Sequence, residues 1–120
     1  MVSEFSFKAV DSGLPNSVIR KSLPLGMGQA VRGQRDRADL YAGYVQDLAG
    51  LPSCVGFHWF QYRDQPKEGR SLDGENNNRG LVKADGAPWT VLVNRMTEVN
   101  ARLEALAAKS GKRGSAKGVN

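Results

Sequence analysis

The stretch Cys54-Val55-Gly56-Phe57-His58-Trp59-Phe60-Gln61-Tyr62 decides how the rest of the chain must be arranged. Val55, Phe57 and Trp59 alternate onto one face of a strand and Cys54, Gly56 and Phe60 onto the other, so the run reads as apolar on both sides. Such a strand belongs in a parallel sheet, covered by helices on one side and by the side chains of other strands on the other. Upstream, Val2 to Phe7 alternates over a shorter run, with Glu4 on one face and Phe5 and Phe7 on the other, and reads as a second strand. Gln34 to Ala49 carries Tyr41, Tyr44, Val45 and Leu48 at helical spacing and stops at Gly50 and Pro52. Trp89 to Ala108 carries the stripe Leu92, Met96, Val99, Leu103 and Leu106 without an internal Gly or Pro, a second helix.

Two long connections separate these elements. Lys8 to Gly33 is punctuated by Gly13, Pro15, Asn16, Pro24, Gly26, Gly28 and Gly33, and Arg63 to Gly80 holds Asp64, Asp73, Glu75 and three consecutive asparagines before a brief Leu81-Val82 extension. Structureless stretches longer than about 12 to 15 residues inside a compact domain are usually functional loops or disordered segments. The order is strand, loop, helix, strand, loop, helix, which makes two βα units of an α/β fold. Ligands of parallel α/β folds sit at the C-terminal ends of the strands, where these loops begin. Two strands and two helices cannot cover both faces of Cys54 to Tyr62, so the segment reads as part of a larger sheet.

The 120 residues match the length of one ordinary domain, and a mean hydropathy of -0.45 with no apolar run near the roughly 18 to 20 residues of a span argues against membrane integration. Seventeen Lys and Arg against twelve Asp and Glu give +5. Lys109, Lys112, Arg113 and Lys117 hold four of those charges, so the body at 1–108 is nearly neutral and the Gly-, Ser-, Ala- and Lys-rich tail at 109–120 is expected to be disordered. A nucleic-acid partner is therefore not expected. Cys54 and His58 are the only cysteine and histidine, which excludes a disulfide framework and an all-Cys/His zinc site; no metal or cofactor is expected. Val-Ser-Glu-Phe after Met1 shows no secretory signal, so the chain as written is expected in the cytoplasm.

Glu4 is the sharpest single residue. A carboxylate near the end of a strand expected to be half-buried must be paired, raised in pKa or functional, and a structural ion pair explains it as well as catalysis does. Trp59, flanked by His58 and followed by Gln61, places an indole beside imidazole and amide groups. That set suits stacking on a sugar ring while hydrogen-bonding its hydroxyls, and equally suits satisfied core residues. Asp73-Gly74-Glu75-Asn76-Asn77-Asn78 opens like a calcium loop but has no Gly at its sixth position and Ala84 at its twelfth, so it is a hydrogen-bonding loop of another kind.

Taken together, Ser3-Glu4-Phe5-Ser6-Phe7, Asp11-Ser12-Gly13, Gln34-Arg35-Asp36-Arg37-Ala38 with Tyr41 and Tyr44, Val55 to Tyr62, Gly69-Arg70 and Asp73-Gly74-Glu75-Asn76 resemble the C-terminal part of the β-agarases of glycoside hydrolase family 50. The resemblance covers about residues 2 to 100. It implies a (β/α)8 barrel of the large retaining clan, acting on the β-linked galactose units of agarose, with Val2 to Phe7 as strand seven and Cys54 to Tyr62 as strand eight. It implies Glu4 as the nucleophile and Trp59 as the aromatic floor for the sugar, with His58, Gln61, Asp73, Glu75 and Asn76 as further candidate substrate-binding residues. The acid/base of the clan comes from strand four, which has no counterpart here. Asn78-Arg79 and the basic tail depart from the pattern.

The implied protein is an incomplete barrel, inactive alone, with a galactan or agaro-oligosaccharide as substrate and the missing N-terminal barrel portion as a partner. Its location would be secreted or periplasmic if the chain ends a longer agarase. The alternative is a non-catalytic carbohydrate-binding or barrel-completing module, and a basic nucleic-acid binder is a further one.

Overall fold

The computed structural model describes residues 1–16 and 30–119, with side chains described up to Lys109. Strand β1 (Val2–Phe5) lies parallel to the strand at Phe57–Trp59. Between them in sequence come β2 (Lys8–Ala9), a 3-10 turn at Val10–Ser12, β3 (Ala30–Val31) and helix α1 (Gln34–Ala49); the strand at Phe57–Trp59 is thus β4, and helix α2 (Thr90–Val119) follows. The two-βα-unit α/β arrangement expected from the sequence is present. Middle residues 17–29 of the long Lys8–Gly33 connection lie outside the described residues; α2 runs on to Val119, past the Ala108 bound expected for the second helix and through most of the 109–120 tail expected to be disordered.

The ends of that first connection are more ordered than a structureless loop. β2 and β3 pair in parallel, Lys8 with Ala30 and Ala9 with Val31, so the chain leaves and re-enters at adjacent points. Gly33 offers no side chain to cap α1, and Asp11 on the 3-10 turn does so from a distance: its Oδ2 accepts from the Gln34 amide at 3.2 Å and its Oδ1 from Gln34 Nε2 at 3.3 Å.

Both helices pack on one face of the β1–β4 pair. Tyr41, Ala42 and Val45 of α1 meet Leu92, Met96 and Val99 of α2 over Phe5 and Phe7, the helical stripes read from the sequence. The core is dense in rings: Phe5 contacts Phe7, Tyr41, Tyr44, Phe57 and Trp59 at centroid separations from 4.6 to 6.2 Å. Tyr41 buries its ring and donates its hydroxyl to Asn100 Oδ1 at 2.6 Å, which joins α1 to α2.

The strand expected over Cys54 to Tyr62 is only three residues long, and it is not covered on both faces. Val55 is 86% exposed and Tyr62 68%, and His58, between Phe57 and Trp59, is also exposed. Helices cover one side of the pair, and nothing among the described residues covers the other along this row. The pairing is also irregular. Val2 stands opposite Phe57 and Phe5 opposite Trp59, so Ser3 and Glu4 together face His58 in a bulge.

Leu92 is fully buried where both helices meet the sheet, so Leu92→Ala is expected to cost about 3 kcal/mol in urea unfolding. Asp11→Ala, which removes only the borrowed cap, should cost about 1 kcal/mol in the same measurement.

Candidate functional site

The loop from Arg63 to Gly80 is short of apolar residues and yet well packed, because its polar groups satisfy one another. Asp64 is its centre, 5% exposed. Its carboxylate accepts from Asn78 Nδ2 (2.9 and 3.1 Å), the Gly80 amide (2.7 Å) and Trp89 Nε1 (2.8 Å). A buried carboxylate loses several kcal/mol of hydration, and these charge-assisted bonds offset that loss. Gly80 is required at this point: a Cβ there would overlap the Asp64 amide and the Val82 carbonyl.

Asn78 joins that centre to the rest of the chain. Its Oδ1 accepts from the Ala9 amide at 3.2 Å and from Gln34 Nε2 at 2.9 Å, and its own amide donates to Asn16 Oδ1 at 2.7 Å. One side chain thereby ties the loop to β2, to the N-terminus of α1 and to the turn before 17–29. Arg37 makes a second tie. Fully buried, it donates through Nε to the Phe7 carbonyl (2.6 Å), through Nη1 to Gln34 Oε1 (2.8 Å) and through Nη2 to the Gly80 carbonyl (2.7 Å). Burial lowers its pKa to about 10, against the raising pull of Asp64 and Asp11, so it stays protonated at neutral pH.

The loop crosses the upper end of β1. Ser6 and Lys8 are buried beneath it, Ser6 accepting from Arg79 Nη1 at 3.0 Å and Lys8 donating to Asn77 Oδ1 at 3.2 Å. Desolvation, with Arg79 nearby, lowers the Lys8 pKa, and Glu75 opposes the shift. Below this cover Glu4 is exposed; among the described residues no hydrogen bond or ion pair engages it. The half-buried setting expected for Glu4 is therefore corrected, because the strand's far side is open here. His58 lies beside it across the bulge and is likewise exposed.

The other sequence candidates fall into different roles. Trp59 is half-buried, its indole against Phe5, Phe7 and Tyr41 with the Arg37 guanidinium 5.6 Å from its ring, and its Nε1 donates to the Arg79 carbonyl at 2.8 Å. That is the satisfied core setting that had stood beside sugar stacking as a reading. Gln61 donates to the Arg63 carbonyl at 2.9 Å. Asp73 receives Arg70 as a two-pronged fork, 2.7 Å on each oxygen, and the Arg70 hydrogen bond lowers its pKa to about 2. Glu75 accepts from Gln65 at 2.8 Å and lies 3.3 Å from Arg70 and 3.9 Å from Arg79. The Asn76 carbonyl accepts from the Asn16 amide at 3.2 Å. Asp73, Glu75 and Asn76 are brought together, but as the frame of the loop; Glu4 and His58 form a separate, open row.

The sequence reading passed over Arg37, Asp64, Gln65, Asn77 and Asn78 as structural centres. The sequence offered little signal for them, because a run of asparagines between Gly74 and Gly80 reads equally as an exposed turn. Among the described residues there is no cluster of three or more metal-ligand side chains, and no helix is long and apolar enough to cross a membrane.

No protein-family model matches the chain. Two curated proteins of Vibrio sp. (strain JT0107) do: beta-agarase B, 38% identical over 100 residues, and beta-agarase A, 37% identical over 100 residues. Each match takes in 83% of this chain, and the chain spans about a tenth of the relatives' length, 10% and 9%. Among solved structures, an exo-beta-agarase superposes with TM-score 0.77 at 36% identity, over 89% of this chain and 13% of that one. The agarase AgWH50C gives 0.74 at 33%, over 87% and 15%, and BpGH50 gives 0.72 at 30%, over 91% and 20%.

Asn78→Asp keeps the shape of the hub but sets a second carboxylate against Asp64. Their repulsion raises the folded-state pKa of the pair above the unfolded value, so the loss of stability is present above about pH 4 and is relieved as pH falls through the carboxylate range. Unfolding curves at pH 7 and pH 4 check this; Asn78→Ala, which leaves buried groups unpaired, should cost about 3 kcal/mol at either pH. For Asp73, carbon-detected NMR titration should find a midpoint near 2, and Arg70→Ala should return it toward the model-compound 3.8.

Proposed function

We propose, from the premise that this chain is a homologous segment of the glycoside hydrolase family 50 β-agarases, that it forms strands seven and eight of a (β/α)8 barrel. In this reading it carries the nucleophile of a retaining hydrolysis of β-galactosidic bonds in agarose-type polysaccharide. β1 with its continuation to Phe7 is strand seven, and β4 is strand eight. The observation that carries the reading is the open row on the face away from both helices: Glu4, unpaired and exposed, opposite His58. Sites in folds of this kind lie at the C-terminal ends of the strands; Glu4 is next to the last residue of β1, and a carboxylate left unpaired there is free to attack.

Glu4 attacks the anomeric carbon as the glycosidic oxygen leaves, giving a glycosyl-enzyme that water then hydrolyses with retention. That sequence needs a second carboxyl, about 5 to 5.5 Å away, to protonate the leaving oxygen and later to activate the water. The chain's nearby loop acids are committed elsewhere. Asp64 accepts four hydrogen bonds from three donors, Asp73 is clamped by Arg70 and ionised down to about pH 2, and Glu75 is bonded to Gln65 and Arg70. The acid/base is therefore contributed from another part of the barrel, and residues 1–120 alone do not turn over substrate. His58, beside Glu4, and Gln61 and Asn76 above it offer hydrogen bonds to sugar hydroxyls. Asp73 and Glu75 act by holding that loop, and the part of the Trp59 indole left open by the core supplies the stacking surface.

The purified chain should release no product above background from agarose or from aryl β-galactosides. Turnover that disappears in Glu4→Gln would overturn the claim of inactivity. In a chimera carrying this segment in place of the matching part of beta-agarase B, Glu4→Gln should lower kcat by about 10⁶-fold, the scale seen when a covalent nucleophile is removed. A small effect there would remove Glu4 from the nucleophile role.

A further inference from the structure

A cavity of about 280 Å³ lies beside the polar loop, lined by Ser12 and Leu14 beyond β2, by Asp64, by Lys83 and Asp85 of the turn before α2, and by Trp89. It shares no residue with the row of Glu4 and His58. That row is on the face away from both helices, whereas Trp89 packs against the core on the helix side.

The walls of this cavity are held before any ligand arrives. Trp89 is anchored twice, its amide donating to the Leu81 carbonyl at 2.9 Å and its Nε1 to the buried Asp64 at 2.8 Å. The turn that carries Lys83 and Asp85 is closed by the Lys83 amide on the Ala87 carbonyl (2.8 Å), the Gly86 amide on the Lys83 carbonyl (2.9 Å) and the Ala87 amide on Asp85 Oδ1 (2.9 Å). Gly86, at a φ of 92°, permits the reversal. Around this frame several polar groups keep bonding capacity. Ser12 Oγ accepts from the Leu14 amide at 3.2 Å, which leaves its hydroxyl hydrogen to give. Lys83 is exposed, its ammonium 4.8 Å from the centroid of the Trp89 ring, and among the described residues no carboxylate pairs with it. Asp85 is exposed and has its second oxygen open.

We propose that this cavity is a second carbohydrate site, separate from the Glu4 row, and that it takes one neutral pyranose ring of a galactan chain. The mixture of groups selects the ligand. Lys83 gives hydrogen bonds, Asp85 accepts them, the Ser12 hydroxyl gives and accepts, and Trp89 with Leu14 supplies apolar wall for the C–H face of a ring. An anion fits less well, because Asp64 and Asp85 set two carboxylates against one ammonium. A metal cation also fits less well, since Lys83 repels it and the oxygens of Asp64 are already bonded to Asn78, Gly80 and Trp89. The volume is at the small end for ligand cavities and suits one ring with its chain neighbours left in solvent. Fixed walls lower the ordering cost of binding. On a polysaccharide the second contact keeps the chain near the first, so overall affinity exceeds that of either site. The galactan source of the ring rests on the function proposed above; the neutral pyranose class rests on the cavity.

The test titrates the nitrogen-15-labelled chain with a neutral agaro-tetrasaccharide and follows it by NMR. The Trp89 indole signal is identified as the one missing from Trp89→Phe. It and the Lys83 amide are expected to shift saturably, with a Kd on the order of 1 to 10 mM, and to do so equally in Glu4→Gln. The double variant Ser12→Ala, Lys83→Ala should weaken this binding at least about tenfold while its circular dichroism stays that of the parent chain. No saturable shift at Trp89 up to about 50 mM sugar, an equal shift with sodium sulfate, or full binding in the double variant would overturn the second site. Shifts confined to Ser3–Phe5 and His58 would support the Glu4 row and overturn this site. Saturable shifts at Trp89, beside a chimera in which Glu4→Gln has little effect, would keep this site and remove the nucleophile reading.

Discussion

The carboxylate of Asp64 is the point on which the arrangement depends. It is a negative charge almost without solvent, and it stays so only because Asn78, Gly80 and Trp89 each give it a hydrogen bond. To meet those demands the loop must fold back on itself, and Asn78 can serve Asp64 only by turning its other face to Ala9 and Gln34. Satisfying one buried charge thus sets the distance between the end of β1, the start of α1 and the turn before α2. Arg37 answers it with a buried positive charge whose three bonds end on Phe7, Gln34 and Gly80. A network in which every member has partners stiffens its surroundings, while the same groups half-satisfied would be worse than an apolar core.

The consequence is a change of setting along the run from β1 into β2. Ser6 and Lys8 are covered by the polar loop, and Glu4, one step lower, is not. The acids that look most available in the sequence, Asp73 and Glu75, are consumed in holding the loop against Arg70, Gln65 and Arg79. Glu4, on the open face of β1, is exposed and has no hydrogen bond or ion pair among the described residues. Trp59 sits on the boundary: its core contacts with Phe5 and Tyr41 hold β4 to β1, and its indole N–H holds the loop through Arg79.

Much of the fold was legible before the structure. α1 has the bounds its apolar spacing and its Gly50-Pro52 stop imply, and the stripe Leu92, Met96, Val99 is the buried face of α2, because the 3.6-residue period is a local property of the chain. The strands were legible in place and direction but not in length. Alternation over Cys54 to Tyr62 reports a segment able to lie between two layers, whereas the hydrogen-bonded strand is as long as its neighbour permits, and here the neighbour is β1 alone. The bulge at Ser3–Glu4 left no mark in composition, and the buried partners of Asn77 and Asn78 lie 12 to 69 residues away.

By itself, then, the sequence determined the two βα units, the helix faces, the choice of Phe5, Tyr41 and Val99 for the core, and a likeness to agarases carried by residues within short runs. Those depend on neighbours in the chain. Which polar residues would be buried and which left free was decided only in three dimensions. A carboxylate or an amide has the same character in any sequence, and whether it becomes a strut or stays exposed depends on whether donors reach it. Donors reach Asp64 from Gly80 and Trp89, 16 and 25 residues on, and hold Asp73 and Glu75 within their own loop; among the described residues none reaches Glu4.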